Sequence, residues 1–208
     1  MAQSRFLAHI RLWSVALPLL TICLLPFFPN RAMFEISSDE SESVVDMLGV
    51  SESNALVDRT NGIFRDLFVK TGWVEASARA VASSNDSVIK SGVVDTFVAR
   101  WVDNIWLIAY RAVYRIEVMK IWMVGIGVLC IAMFNDGIVK RKIRVSQART
   151  RSPVSFHLAT HALTLVLGAM LTVMTIPMSI YASLWTWVAL TLSFLCWKMA
   201  ESYQSGGN

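Results

Sequence analysis

Residues 152–197 read SPVSFHLATHALTLVLGAMLTVMTIPMSIYASLWTWVALTLSFLCW and contain no Asp, Glu, Lys or Arg. A helix needs roughly 20 residues to cross the ~30 Å hydrocarbon core of a bilayer. The run is therefore long enough for two membrane-spanning helices, and Pro177-Met178-Ser179 marks a turn between them. The sequence predicts a helical hairpin in lipid, with spans at about 155–176 and 180–197.

Two further uncharged runs, 12–30 and 121–135, predict two more spans, at about 12–29 and 118–137. The composition agrees, since 16% of the residues are charged, whereas soluble domains carry about a quarter. The first span is predicted to be retained, because its exit LLPFFPN at 24–30 lacks the small residues of a signal cleavage site. The predicted fold class is all-α: a polytopic membrane protein with four transmembrane helices and an extracytoplasmic helical segment between the first two.

Basic residues that flank the spans predict the orientation, because Lys and Arg are enriched in short cytoplasmic loops. The loop at 140–151 carries six of them, and the opposite flank at 111–120 carries three. Both termini are then cytoplasmic. The predicted organisation is an N-terminal tail with the first transmembrane helix (1–29), an extracytoplasmic acidic loop with amphipathic helices (30–117), a second transmembrane helix (118–139), a basic cytoplasmic loop (140–153), and a transmembrane hairpin with a cytoplasmic tail (154–208).

The stretch between Arg31 and Arg59 has seven acidic residues and no basic one. Acidic loops suit the translocated side of a membrane, because they avoid the anionic inner leaflet. Two interpretations stay open: a docking surface for a partner, and a solvated, partly flexible loop. The acidic residues are Glu35, Asp39, Glu40, Glu42, Asp46, Glu52 and Asp58.

Helical periodicity continues after the acidic stretch. Thr71-Gly72 is typical of a helix end, and no Gly or Pro interrupts the amphipathic residues from Val93 to Val124. The sequence thus predicts one helix of more than 40 residues that enters the second span directly. Its aromatic side chains are predicted to pack between helices or subunits, with an interfacial aromatic belt as the alternative. These residues are Trp101, Trp106, Tyr110 and Tyr114.

The basic loop has three candidate roles. It fixes the topology, and its cations attract anionic lipid headgroups at ~1 kcal/mol per residue. The third role is contact with nucleic acid or with an acidic cytosolic partner, although no aromatic residue is interleaved and no nucleic-acid-binding module is recognisable. The residues are Lys140, Arg141, Lys142, Arg144, Arg149 and Arg151.

A helix start is predicted directly after this loop, with Ser152 as the N-cap and Pro153 in the first helical position. His157 and His161 then share one face of the helix, near the cytoplasmic interface. A zinc site needs three or four ligands, and no further acid or cysteine is placed to complete one. We therefore expect the pair to face a neighbouring helix or lipid phosphates, and the sequence predicts no metal and no cofactor.

Sequence motifs for catalysis are missing: the chain has no HExxH, GxSxG or Walker loop. No acid lies deep in a predicted span, which weakens the case for a proton-coupled transporter. A non-enzymatic membrane component is the favoured prediction. The alternative is a small channel or transporter, whose polar stripe would come from Thr160, Thr164, Thr172, Thr175 and Ser179.

The segment around residues 144–161 resembles a family of small inner-membrane proteins of integrative conjugative elements and conjugative plasmids. These proteins are coupling-protein-associated and TraJ-like. A basic loop leads in them through a Ser-Pro pair into an aromatic–His…His helix start, and a long apolar hairpin follows. The sequence departs from the family at Thr160, where a lysine is common. The matching residues here are Arg149, Arg151, Ser152, Pro153, Phe156, His157 and His161.

This resemblance implies a role in conjugative DNA transfer, as an accessory to the hexameric coupling ATPase of a type IV secretion system. It also implies the bacterial inner membrane as the location. The expected partners are membrane lipids, the coupling ATPase, other conjugation proteins and further copies of the chain. Direct contact with DNA stays open.

Overall fold

The computed structural model describes Ala8 and residues 12–85, 92–147 and 153–203. These residues form helices and connecting turns with no β-strand among them, so the predicted all-α class is confirmed. Short π-helical and 3₁₀ turns occur at Leu12–Ala16, Leu25–Phe27, Arg31–Met33 and Arg65–Val69. The α-helices in the described ranges are α1 (Leu17–Leu24), α2 (Ser38–Leu48), α3 (Val50–Phe64), α4 (Trp73–Asn85), α5 (Gly92–Ser146), α6 (Pro153–Thr175) and α7 (Ser183–Ser202).

The chain divides into two compact units. The acidic unit comprises Pro18–Val118 and Val173–Ala182, and the apolar unit comprises Met1–Leu17, Met119–Thr172 and Ser183–Asn208.

In the acidic unit, α2 has a well-defined N-cap. The Ser37 hydroxyl accepts a hydrogen bond from the Glu40 backbone N–H at 3.3 Å, and acidic side chains in the first turn of α2 favour the positive end of the helix dipole. Gly49, at φ +82°, separates α2 from α3, and Gly72, at φ +80°, precedes α4. The helix end predicted at Thr71-Gly72 is therefore confirmed.

The apolar unit is built from the second part of α5 together with α6 and α7. Ile126, Ala189 and Leu192 form its buried cluster. The Cys130 thiol and the Ser193 hydroxyl lie 3.5 Å apart. The helices α5 and α7 approach closely at Gly137, where an added Cβ would lie 2.5 Å from the Trp197 backbone oxygen.

The predicted long helix is confirmed, since α5 runs for 55 residues. It extends further than predicted: residues 140–146, assigned above to a cytoplasmic loop, continue the helix to Ser146. The reason is local, because 138–146 contain no Gly or Pro and include Lys and Arg, which have good helix propensity. The turn at Pro177-Met178-Ser179, between Thr175 and Ser183, is also confirmed. Pro153 is the first described residue of α6.

Two helices are long and apolar enough to cross a membrane by length and composition: Thr96–Ser146, within α5, and Val154–Thr175, within α6. They correspond to the predicted second and third spans. The predicted first span contains a shorter apolar helix, Ser14–Phe27. Its regular hydrogen bonding changes near Pro18 and Pro26, because proline supplies no backbone donor.

The close approach at Gly137 gives a test of the packing in the apolar unit. We expect Gly137→Ala to lower the melting temperature of the detergent-solubilised chain by several degrees, because the methyl group meets the backbone of α7. The matched control is Gly127→Ala on the same helix, where an added Cβ meets nothing within 4 Å and where helix propensity favours Ala by up to about 1 kcal/mol. Equal melting temperatures for the two variants would contradict the packing described.

Candidate functional site

The basic residues at the end of α5 surround one buried carboxylate of α7. Glu201 is 2% exposed in its side chain. Arg144 forms an ion pair with Oε1 of Glu201, and the Lys140 ammonium lies 3.9 Å from the same oxygen. The Lys198 ammonium lies 2.7 Å from Oε2. These three cations therefore neutralise Glu201, and the two from α5, Lys140 and Arg144, hold that helix to α7 at this end of the apolar unit.

Two rings extend this cluster. The Lys140 ammonium lies 4.3 Å from the centre of the Trp197 ring, a geometry that favours a cation–π interaction. The Trp197 indole N–H donates to the Asp136 carboxylate at 2.7 Å. The Arg141 guanidinium lies over the Tyr203 ring at 5.6 Å. An apolar cavity of about 380 Å³ opens beside Arg141.

The remaining basic residues of the predicted site are not part of this cluster. Lys142 is exposed on α5. Arg149, Arg151 and Ser152 lie outside the described residues, and Pro153 is the first residue of α6.

The histidine pair lies on α6, as the sequence predicts. The centre of the Phe156 ring lies 5.9 Å from the centre of the His157 ring and 5.7 Å from that of the Tyr203 ring. His157 is exposed and His161 is half-buried. In the part of the chain that the structure describes, no group of three or more His, Cys, Asp or Glu residues could hold a metal ion.

The aromatic residues of α5 lie in the acidic unit. Trp106 and Tyr110 pack edge-on against Phe64. The Trp106 indole N–H donates to the Ser77 hydroxyl at 3.0 Å, and the Tyr110 hydroxyl donates to the Asn61 side-chain oxygen at 2.8 Å. The structure thus brings these two aromatics together as a packing surface for α3 and α4.

Two further aromatics of the predicted set have separate positions in the same unit. The Trp101 ring lies 6.3 Å from that of Phe27. Tyr114 is buried, one turn beyond Tyr110 on the same face of α5. Nearby, the Asn104 side-chain amide donates to the backbone oxygens of Pro26 and Phe28.

Among the described charged groups of the acidic unit, the Arg115 guanidinium makes the most hydrogen bonds. Its Nε and Nη2 donate to the two carboxylate oxygens of Glu40 at 2.7 and 2.9 Å. Arg111 donates to the same carboxylate at 3.2 Å and to the Met33 backbone oxygen at 2.8 Å. Arg115 and Glu40 are each 2% exposed in their side chains. One buried carboxylate thus pairs with two guanidinium groups on one face of α5.

Arg115 also caps the C-terminus of α6. It donates to the backbone oxygens of Val173, Ile176 and Met178. Together with the two bonds to Glu40, these contacts use all five N–H donors of the guanidinium. Carbonyl groups at a helix end lack partners within the helix and carry partial negative charge. Arg115 supplies both the missing donors and the compensating positive charge.

Sequence reasoning missed this cluster because it treated Glu40 as one of seven exposed acids and the two arginines as flanking charges. A signal was present in the periodicity. Glu40 lies four residues before Val44, which is fully buried, and Arg111 and Arg115 have the same i, i+4 spacing on α5. Each spacing puts its two residues on one helix face.

The family comparison covers both units. Residues 29–204 match the family described as IncC plasmid conjugative DNA transfer protein DtrJ-like. The chain belongs to this DtrJ-like family. The expectation of a conjugation-associated family is therefore confirmed. No curated protein and no solved structure matches the chain significantly.

The five bonds of Arg115 predict that a lysine cannot replace it. Arg115→Lys keeps the positive charge but has three donors on one atom, so buried acceptors lose their partners at about 1–3 kcal/mol each. We expect a lower melting temperature for the detergent-solubilised chain, measured by tryptophan fluorescence. The matched control is Arg100→Lys on the same helix, because Arg100 is exposed and donates to one carbonyl. Indistinguishable melting of the two variants would contradict the role given to Arg115.

Proposed function

We propose that this chain is a non-enzymatic inner-membrane component of a conjugative DNA-transfer machine. It would associate with the coupling ATPase of a type IV secretion system and with further copies of itself. The observation that carries the proposal is the match of residues 29–204 to the DtrJ-like family of conjugative DNA transfer proteins.

The exposure of its apolar helices supports a place in the membrane. In the most apolar 18-residue windows of α5 and α6, 17% and 28% of the residues are buried within the chain. Large apolar side chains such as Val124, Ile131 and Leu158 are more than 60% exposed. Burial away from water is worth roughly 25 cal/mol per Å² of apolar surface, so lipid is the favourable surrounding for these faces.

The proposed topology has four spans. The helices α5 and α6 supply two, the apolar segment that contains α1 supplies the first, and α7, with 20 residues, supplies the fourth. Exposed apolar side chains on α7, among them Trp187, Leu190 and Phe194, suit contact with lipid. A span of about 20 helical residues fits the thickness of the hydrocarbon core.

Charge supports the proposed orientation. The cations Lys140, Arg141, Lys142 and Arg144 follow the apolar part of α5 directly, and such clusters are retained on the cytoplasmic side. The segment with seven acids between Arg31 and Arg59 would then lie outside the inner membrane. Both termini would be cytoplasmic.

A scaffold role is proposed because the buried charges maintain helix packing. Glu40 is bound by Arg111 and Arg115, and Glu201 is bound by cations from α5 and α7. Both carboxylates are held in ion pairs, so neither is free to act as a base. The exposed cations at the end of α5, with Lys142 as the clearest example, are suited to an acidic surface on a cytosolic domain of the coupling ATPase.

Affinity capture tests this proposal. The tagged full chain, expressed in cells that carry the conjugative element, is solubilised from the membrane fraction in a mild detergent and its companions are identified by mass spectrometry. We expect the coupling ATPase to be recovered and Lys142→Glu to reduce its recovery several-fold. The control is Arg79→Glu, an exposed cation of the acidic unit, which we expect to leave recovery unchanged.

A deletion of the gene should also reduce conjugative transfer by orders of magnitude, with restoration by the full chain. Recovery of a monomer without the ATPase, from cells in which transfer is unaffected by the deletion, would overturn the proposed function.

A further inference from the structure

The apolar unit contains a cavity at the end of its helices where charged residues begin. The cavity has a volume of about 380 Å³ and is lined mainly by apolar side chains, with one guanidinium. Sites for small amphiphilic ligands typically occupy ~300–1,000 Å³ and combine an apolar lining with a few placed polar groups. The lining includes Phe134, Ile138 and Arg141 of α5, Phe156 of α6, Met199 of α7, and Tyr203.

Arg141 is the cation at this cavity that has no acidic partner among the described residues. Glu201, the nearby buried acid, is already bound by Arg144 and Lys198, with Lys140 at 3.9 Å. No carboxylate of the described residues lies within ion-pair distance of Arg141. Its guanidinium instead lies 5.6 Å from the centre of the Tyr203 ring, which fixes its direction without supplying an anion.

The surrounding charge is positive. Among the described residues at this end of the unit, five basic residues accompany two acidic ones, Asp136 and Glu201. The acids are both engaged, Asp136 by the Trp197 indole and Glu201 by the cations named above. An anionic group is therefore favoured next to the cavity. The basic residues are Lys140, Arg141, Lys142, Arg144 and Lys198.

The sequence places the cavity at the depth where lipid headgroups begin. On α5, the uncharged run 121–135 ends immediately before Asp136, and the first cations are Lys140 and Arg141. On α7, the uncharged run ends at Trp197, two residues before Met199 of the cavity lining. Both helices thus pass from apolar to charged sequence at the level of the cavity.

We propose that this cavity binds one anionic phospholipid of the cytoplasmic leaflet. Its phosphate pairs with Arg141, and one acyl chain lies against Ile138, Phe156 and Met199. A zwitterionic lipid offers the same acyl chain without the net negative charge, and a soluble anion offers the charge without the apolar chain. The site differs from the diffuse attraction of any basic membrane segment, because it assigns the headgroup to one residue. This inference rests on the membrane placement in the proposed function.

Lipid competition tests the assignment. The purified full chain is incubated in detergent with equal amounts of phosphatidylglycerol and phosphatidylcholine that differ measurably in mass, and bound lipids are counted by native mass spectrometry. We expect one phosphatidylglycerol to be retained in preference to phosphatidylcholine. Arg141→Gln should weaken phosphatidylglycerol binding about fivefold, whereas the matched control Lys142→Gln, which removes the adjacent exposed cation, should change it less than twofold.

A second pair of variants tests the apolar part of the cavity. Ile138→Gln places an amide in the lining and should reduce retention of phosphatidylglycerol. Val139→Gln makes a similar change at a neighbouring side chain that is 53% exposed and should leave retention unchanged. Equal effects of Arg141→Gln and Lys142→Gln, or equal retention of the two lipids by the natural chain, would overturn the proposal even if Ile138→Gln fails to fold.

The same preparations separate this inference from the proposed function. If the chain fractionates with the membrane and captures the coupling ATPase while Arg141→Gln behaves as Lys142→Gln, the lipid site alone is wrong. If the chain is recovered from the soluble fraction without detergent, the proposed membrane function fails together with the lipid site.

Discussion

The acidic unit depends on one guanidinium group. Arg115 is anchored by Glu40 through two parallel hydrogen bonds. Its remaining donors bind the backbone oxygen of Val173 in the last turn of α6 and those of Ile176 and Met178 just beyond it. The arrangement joins α2, the first part of α5 and the residues that follow α6. A buried carboxylate or guanidinium alone would be costly. Here each is satisfied by the other and by backbone groups, so the pair specifies which surfaces meet.

The same principle operates in the apolar unit, with a different set of residues. Glu201 near the end of α7 is buried, and cations of α5 and of its own helix compensate it. Gly137 lets the two helices approach closely enough for this contact. Arg141 is the exception among these cations, because it lies beside an apolar cavity with no acid of the described residues as its partner. The lipid proposal is based on this guanidinium, which has no acidic partner among the described residues and lies next to an apolar lining.

Local patterns in the sequence predicted the helices well, whereas pairing between distant residues escaped them. The absence of Gly and Pro from 93 to 124 predicted the long α5, and Gly72 marked a helix boundary correctly. The partnership of Glu40 and Arg115 joins residues 75 positions apart, and no local spacing specifies it. The sequence indicated surface charges at both positions, since amino-acid composition cannot distinguish a buried acid with a partner from a solvated one. The end of α5 was misplaced because positive charge was taken to indicate a loop, although Lys and Arg favour helices.

A disulfide between the start of α2 and the turn after α6 tests the central claim, that the acidic unit is assembled around Arg115. The hydroxyls of Ser37 and Ser179 lie 2.7 Å apart, so cysteines at these positions should approach to disulfide distance. In a background without the native cysteines, Ser37→Cys/Ser179→Cys in isolated membranes treated with a mild oxidant is predicted to form an intramolecular disulfide in most molecules. An Asp46→Cys/Ser179→Cys control should form little, because Asp46 is exposed and lies nine residues further along α2 than Ser37. Failure of the first pair to crosslink, or equal crosslinking of both, would contradict the account.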